Sequence, residues 1–210
     1  MTRKVTALNS KGGVGKSTTL ANLGGLLADM GARVLLFDGD IQPTLSKYYP
    51  LEYEAPHGLV EVVTSGIVSE SCISRTYRPN LHLIKSNDGN ARLQFWLDAR
   101  PDRRTRLAVA LSAPIIEDNY DFVLIDTQGA IGPVPTAAAF AADTVLCPLP
   151  PDTASIREFS TGTLHVLSQI EGSPDEPNTM LAPLHVLISK AVDADRKLSR
   201  GSILNRRQHT

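Results

Sequence analysis

Ser10 to Thr19 read SKGGVGKSTT. This stretch follows a short apolar run, Val5 to Leu8, and precedes three leucines at helical spacing, Leu20, Leu23 and Leu27. The pattern predicts a glycine-rich loop that connects a β-strand to an α-helix. Such a loop binds phosphate, because its backbone N–H groups point inward and the helix N-terminus attracts an anion.

The last three positions of the phosphate-loop pattern GxxxxGK[ST] are Gly15, Lys16 and Ser17. In this pattern the lysine reaches the β and γ phosphate oxygens, and the hydroxyl binds Mg²⁺. The first position holds Ser10 instead of glycine, and a second lysine, Lys11, stands directly after it. One lysine suffices to hold the phosphates, so Lys11 has another target, either the phosphates of a partner subunit or solvent. The alternative interpretation of the whole stretch is a glycine-rich turn with two solvated lysines.

The segment KGGVGKST resembles the deviant Walker A motif of the ParA/MinD family of P-loop ATPases. The resemblance implies ATP and Mg²⁺ as cofactors, and an ATP-dependent homodimer in which Lys11 reaches the nucleotide of the other subunit. It implies a nucleotide-binding loop made of Lys11, Gly12, Gly13, Val14, Gly15, Lys16, Ser17 and Thr18.

Two aspartates follow the second apolar run, Arg33 to Phe37. Asp38 and Asp40 leave the predicted sheet at the same edge as the glycine-rich loop, because the carboxyl ends of parallel strands share one edge. They match the DxDxQ segment of the ParA/MinD family, although proline and glycine are missing from their usual places around Gln42. By this match Asp38 supports Mg²⁺, and Asp40 positions the attacking water. The alternative is a polar turn after a strand.

A third acidic position follows the run Tyr120 to Ile125, which is typical of a buried central strand. Asp126 at the end of this run fits a Walker B carboxylate, which orders water on Mg²⁺. The alternative is an aspartate that caps the next turn. Lys11, Lys16 and Asp40 are therefore the expected catalytic residues, and Ser17, Asp38 and Asp126 the expected metal-site residues.

The composition is that of an ordinary globular protein. The chain has 210 residues, 42% hydrophobic and 20% charged, with a formal net charge of −1. This length and the order of motifs predict a single α/β P-loop NTPase domain over residues 1–190, with a mainly parallel, twisted sheet and helices on both faces. Cys72 and Cys147 lie outside any metal-ligand spacing, so neither a zinc site nor a disulfide framework is expected. Residues 191–210 lack apolar periodicity, which predicts a poorly ordered basic tail in place of the C-terminal part of the family fold.

Two further segments leave alternatives open. A stripe of Ile156, Phe159, Thr163, Val166, Leu167 and Ile170 predicts an amphipathic helix, which is either core or part of a dimer face. Five arginines between residues 91 and 106 could contact a phosphate backbone, although solvated helix faces look similar.

The family resemblance implies a cytoplasmic ATPase that partitions plasmid, chromosomal or integrative-element DNA. Its expected partners are a second copy of the chain, a ParB-type activator and nonspecific DNA. No membrane contact is expected, because there is no apolar signal segment and no run long enough to cross a bilayer. The alternatives are a positioning ATPase with a protein cargo and a nucleotide-binding module without turnover.

Overall fold

The computed structural model describes residues 1–130, 132–171 and 182–189, which contain one eight-stranded sheet. The strands are β1 (Arg3–Ala7), β2 (Val34–Gly39), β3 (Leu51–Tyr53), β4 (Ser74–Thr76), β5 (Leu81–Ile84), β6 (Phe122–Thr127), β7 (Thr144–Leu149) and β8 (Leu184–Ile188). Their order across the sheet is β3-β4-β5-β2-β6-β1-β7-β8.

Within the described ranges, eight α-helical segments accompany these strands. They are α1 (Lys16–Asp29), α2 (Leu59–Ser65), α3 (Arg92–Asp98), α4 (Arg106–Ala110), α5 (Pro114–Glu117), α6 (Pro133–Ala141), α7 (Thr153–Glu158) and α8 (Leu164–Glu171). Short 3₁₀ turns lie at Leu45–Lys47 and Glu70–Cys72. A π-helical segment, Phe159–Thr163, joins α7 to α8.

The sheet is mainly parallel, as predicted. Strands β5, β2, β6, β1, β7 and β8 pair in parallel, whereas β3 and β4 extend the sheet in antiparallel fashion. The sequence reading did not find β3 or β4, because three residues give no alternation that distinguishes a strand from a loop.

Apolar side chains leave the central strands on both faces. On one face Leu36 and Leu124 pack with Leu20 of α1, and on the other Leu35 and Val123 pack with helices α2 to α6. All of these side chains are fully buried. The predicted α/β fold with helices on both faces is therefore confirmed, and the carboxyl ends of β1, β2 and β6 lie side by side at one edge.

The predicted amphipathic helix exists, but its apolar stripe is not continuous. Thr163 and Leu167 are buried, whereas Ile156 is 52% exposed. The side chains of Val166 and Ile170 lie outside the described part. The predicted tail, 191–210, also lies outside it, and the boundaries of the domain stay a prediction. None of the helices in the described ranges is long and apolar enough to cross a membrane.

Candidate functional site

The glycine-rich loop follows β1 and ends where α1 begins. Gly13 and Gly15 have φ angles of +70° and +96°, in the left-handed region that favours glycine. Gly15 directly precedes the helix, so the loop turns sharply and leaves the unpaired N–H groups of the first turn of α1 facing the carboxyl edge of the sheet. This backbone arrangement fits an anion.

Two contacts hold the loop in place, and sequence reasoning missed both. Asn9, fully buried, donates from Nδ2 to the Pro148 carbonyl at 2.9 Å and accepts the Lys11 amide at 2.9 Å. Gly129, in the loop after β6, lies so close to Gly12 that a Cβ would stand 2.6 Å from the Gly12 nitrogen. No motif marks these positions, because both act through residues more than 100 positions away.

Ser10, where the common pattern has glycine, is bonded to the π-helical segment. Its amide donates to Thr163 Oγ1 at 3.1 Å, and its hydroxyl donates to Glu158 Oε1 at 3.1 Å. A Cβ on Gly162 would stand 2.3 Å from the Ser10 hydroxyl oxygen. The serine therefore fits because the helix provides both polar partners and the space beside a glycine.

Lys16 is nearly buried, with 6% of its surface exposed. Its ammonium group donates to the Lys11 carbonyl at 3.4 Å. Burial lowers the pKa of Lys16, while the negative charges of Asp126 and Asp40 oppose this shift. The ammonium group is thus placed at the loop, close to the acidic residues at the strand ends.

Asp38 and Asp126 stand directly opposite each other on β2 and β6, and both are completely buried. Asp126 Oδ1 accepts a hydrogen bond from the Thr127 amide at 3.0 Å, but Oδ2 accepts none from any described residue. Burial is the main cause that raises the pKa of Asp126 to about 7, and Asp38 adds to it, whereas Ser17 and Lys16 lower it. A buried carboxylate oxygen without a partner is costly unless a cation or a water molecule binds it.

The Asp38 carboxylate already accepts three hydrogen bonds from the protein. Ser46 donates to Oδ2 from its amide at 2.7 Å and from its hydroxyl at 2.6 Å, and the Asp40 amide donates to Oδ1 at 3.2 Å. Burial is the main cause that raises the pKa of Asp38. Asp40 is partly exposed, accepts the Gln42 amide at 3.0 Å and is held by a hydrogen bond from Ser86 to its carbonyl. Asp38 thus shapes the turn that carries Asp40, whereas Asp126 provides the buried oxygen that no described residue pairs with.

Lys11 points to the N-terminus of α7. Its ammonium group donates to Ser155 Oγ at 3.0 Å and lies 3.9 Å from Asp152 Oδ1. Asp152 caps the helix, since it accepts from the Ser155 amide at 2.8 Å and from the Ser155 hydroxyl at 2.7 Å. The charged group of Lys11 is therefore bound to the start of α7, an element that the phosphate-loop and acidic motifs did not predict.

The remaining loop residues lie on the same edge. Val14 is buried, and its carbonyl accepts from Ser189 Oγ at 3.0 Å, which ties the loop to the end of β8. Ser17 is partly exposed on the first turn of α1, near Asp126. Thr18, on the same turn, is exposed and bonded to the Tyr48 hydroxyl.

These residues fit a magnesium ion. The Ser17 hydroxyl and the unpartnered Asp126 Oδ2 are hard oxygen donors, and Mg²⁺ is commonly bound by one or two protein oxygens together with substrate phosphates and water. A cation there would also offset the cost of burying Asp126 beside Asp38.

A family model described as "AAA domain" (AAA_31) matches residues 2–180. The chain belongs to this family. Among curated relatives, the sporulation initiation inhibitor protein Soj of Bacillus subtilis is 32% identical over 150 residues, which cover 71% of this chain and 58% of Soj. The chromosome partitioning protein ParA of Caulobacter vibrioides is 31% identical over 179 residues, which cover 81% of this chain and 64% of ParA. The predicted membership of the ParA/MinD group is confirmed.

Solved structures with a similar fold agree. The cobyrinic acid a,c-diamide synthase of Mycobacterium smegmatis with bound ADP and magnesium has a TM-score of 0.76 at 28% identity, over 90% of this chain and 74% of that one. A Cyanothece McdA–ATP complex has a TM-score of 0.76 at 25% identity, over 89% of this chain and 70% of that one. The present chain spans 58% of the length of Soj and 64% of the length of ParA.

The unpartnered carboxylate predicts an unusual pH dependence of stability. Between the ordinary aspartate pKa of 3.8 and about 7, folded Asp126 holds a proton that the unfolded chain has released. The contribution of Asp126 to the free energy of unfolding therefore falls as pH rises through this window, since for this group the unfolded state binds fewer protons. One pKa unit is worth about 1.4 kcal/mol, so the loss is on the order of a few kcal/mol.

We expect Asp126→Asn to lack this decline. Urea denaturation between pH 4 and 8, without Mg²⁺ or nucleotide, measures the difference in slope between variant and parent. The exposed Asp98→Asn is the control and should retain the parent slope. Equal slopes for Asp126→Asn and the parent would contradict the assignment.

Proposed function

We propose that this chain is a Mg²⁺-dependent ATPase of the ParA type, a cytoplasmic, nucleotide-switched dimer that acts in DNA partition. The observation that carries the proposal is the convergence of the phosphate loop, the buried Lys16 ammonium and the unpartnered Asp126 carboxylate at one sheet edge. The names of the relatives support partition as the process.

The residues divide the work of hydrolysis between them. Loop amides and Lys16 bind the β and γ phosphates, while Ser17 and Asp126 hold Mg²⁺, which neutralises phosphate charge. Asp38 fixes the turn that follows β2, and that turn presents Asp40 at the edge. Asp40 accepts a hydrogen bond from the water whose oxygen attacks the γ phosphorus, as the bond to the β–γ bridging oxygen breaks and ADP leaves. Positioning dominates such reactions, so turnover is slow alone and rises with a ParB-type activator.

Lys11 acts on the nucleotide of the partner subunit. In a single chain its ammonium group is bonded to Ser155 and near Asp152, so it is not committed to the phosphates of its own loop. Formation of the dimer exchanges these contacts for phosphate oxygens of the partner's nucleotide. A charge-assisted contact with phosphate is stronger than one with a neutral hydroxyl, which favours the exchange.

Asp40→Ala should bind ATP with unchanged affinity and lose about 10²-fold or more in turnover, because general-base groups contribute roughly 10²–10⁴-fold. Phosphate release at saturating ATP and Mg²⁺ measures turnover. Gln42→Ala, in the same turn, keeps the carboxylate and is the control. Undiminished hydrolysis by Asp40→Ala would remove this residue from the mechanism. If the parent hydrolyses no ATP, with or without activator, the result favours a nucleotide-binding module without turnover.

Lys11→Ala should bind ATP and remain a monomer, whereas the parent becomes a dimer with ATP and Mg²⁺ and stays a monomer with ADP. Light scattering after size exclusion gives the mass directly. The control is Lys47→Ala, at the end of the 3₁₀ turn after β2. An ATP-dependent dimer of Lys11→Ala would exclude a trans role for this lysine.

A basic surface on α3 and the following turn supports contact with DNA. Arg100 and Arg106 are stacked over Trp96, at 4.6 and 5.0 Å from the ring centre, and both pair with Asp102. This leaves three arginines on the surface, Arg92, Arg103 and Arg104, whose side chains form no ion pair with a carboxylate within the described ranges. Phosphates pair with such groups and release counterions.

The variant with Arg103→Glu and Arg104→Glu should weaken retention of nonspecific duplex DNA by the ATP-bound protein. The slope of log affinity against log salt should decrease by about 2, one unit for each lost phosphate contact. Fluorescence anisotropy at several salt concentrations measures both quantities. The control is Arg3→Glu, an exposed arginine in β1. ATP-dependent dimers that ignore DNA altogether would favour a protein cargo.

A further inference from the structure

The turn between β2 and β3 is anchored on both sides of one exposed tyrosine. Before Tyr48, Leu45 is completely buried and Ser46 makes two hydrogen bonds to the buried Asp38 carboxylate. After it, the Tyr49 hydroxyl donates to the Ala21 carbonyl of α1 at 2.7 Å. The backbone at Tyr48 is thus fixed relative to the first half of α1.

Tyr48 itself is not used for packing. It is 42% exposed, and its hydroxyl lies 2.6 Å from Thr18 Oγ1. Thr18 is the third residue of α1, on the turn whose amide groups have no partner within the helix. The phenol hydroxyl therefore lies at the rim of the predicted phosphate site.

The hydroxyl pair has one hydrogen left over. Two hydroxyl groups bring two hydrogens, and their mutual hydrogen bond uses one of them. The second is available to an additional acceptor. No described residue accepts it, and a phosphate oxygen, which is acceptor-only, is suited to do so.

We infer that Tyr48 is a nucleotide-contacting residue, whose hydroxyl group, paired with Thr18, binds an oxygen of the α phosphate. The position along α1 favours the α phosphate, since Lys16 and Ser17, which precede Thr18, serve the β and γ phosphates and Mg²⁺ respectively. This inference rests on the proposed function, because it assumes that the loop binds ATP or ADP. The contact would act on binding and leave the chemistry at the γ phosphate unchanged.

Tyr48→Phe removes one oxygen atom and tests the inference. We expect its affinity for ADP with Mg²⁺ to fall about tenfold, as is typical for a lost hydrogen bond to a charged group. Isothermal titration calorimetry measures the affinity. The control is Tyr77→Phe, an exposed tyrosine between β4 and β5, which should bind ADP like the parent.

A sulfur substitution separates direct contact from an effect through Thr18. One α-thio analogue of ADP places sulfur at the contacted oxygen, and the parent should bind it more weakly than ADP. Tyr48→Phe should bind the two nucleotides equally well, because both changes remove the same interaction. The β-thio analogue should show no such coupling.

The outcomes are distinct. Equal ADP affinity for Tyr48→Phe and the parent overturns the inference and leaves the proposed function standing. A weaker variant that keeps the full α-thio effect overturns the direct contact, since Tyr48 then only positions Thr18. If the parent binds neither ADP nor ATP, the proposed function fails and this inference falls with it.

Discussion

Two buried carboxylates that face each other across adjacent strands impose the main constraint on this structure. Asp38 and Asp126 lie opposite each other in the register of β2 and β6, with Lys16 as the nearby buried cation. Burying two like charges together is expensive, so each needs compensation. Asp38 receives it from Ser46 and the Asp40 amide, which organise the following turn. Asp126 keeps one buried oxygen, Oδ2, that no described residue pairs with. This unpaired oxygen favours binding of a cation such as Mg²⁺ that accompanies the phosphates.

The phosphate loop depends on distant parts of the chain for its shape. Asn9, which follows β1, holds the start of the loop through a hydrogen bond to Pro148 of β7. Gly129 after β6 lies against its middle, and Ser189 after β8 donates to the Val14 carbonyl. The Ser10 amide also donates to Thr163, in the π-helical segment that follows α7. A loop with this many anchors is pre-organised for its ligand, so that little conformational entropy remains to be lost on binding.

The parallel strands, the glycine-rich loop and the acidic positions at the strand ends could be predicted from the sequence alone. Each of these produces a local signal, either a mainly apolar run of four to six residues or a motif of fixed spacing. What it missed depends on contacts between residues far apart. Ser155 as the partner of Lys11 and Asn9 as the loop anchor have no motif of their own. The Tyr48–Thr18 contact likewise could not be seen, because a tyrosine in a loop usually packs on its own domain.

The π-helical segment Phe159–Thr163 has a geometric consequence for the helix that contains it. In a straight α-helix Ile156 and Leu167, eleven positions apart, would lie within about 20° of the same face. One extra residue accommodated in a widened turn rotates everything after it, which separates the two side chains by about 80°. Leu167 is accordingly buried, while Ile156 is turned outward. The extra residue of the π-helical turn thus gives one helix two faces, with Ile156 of the first half exposed and Leu167 of the second half packed in the core.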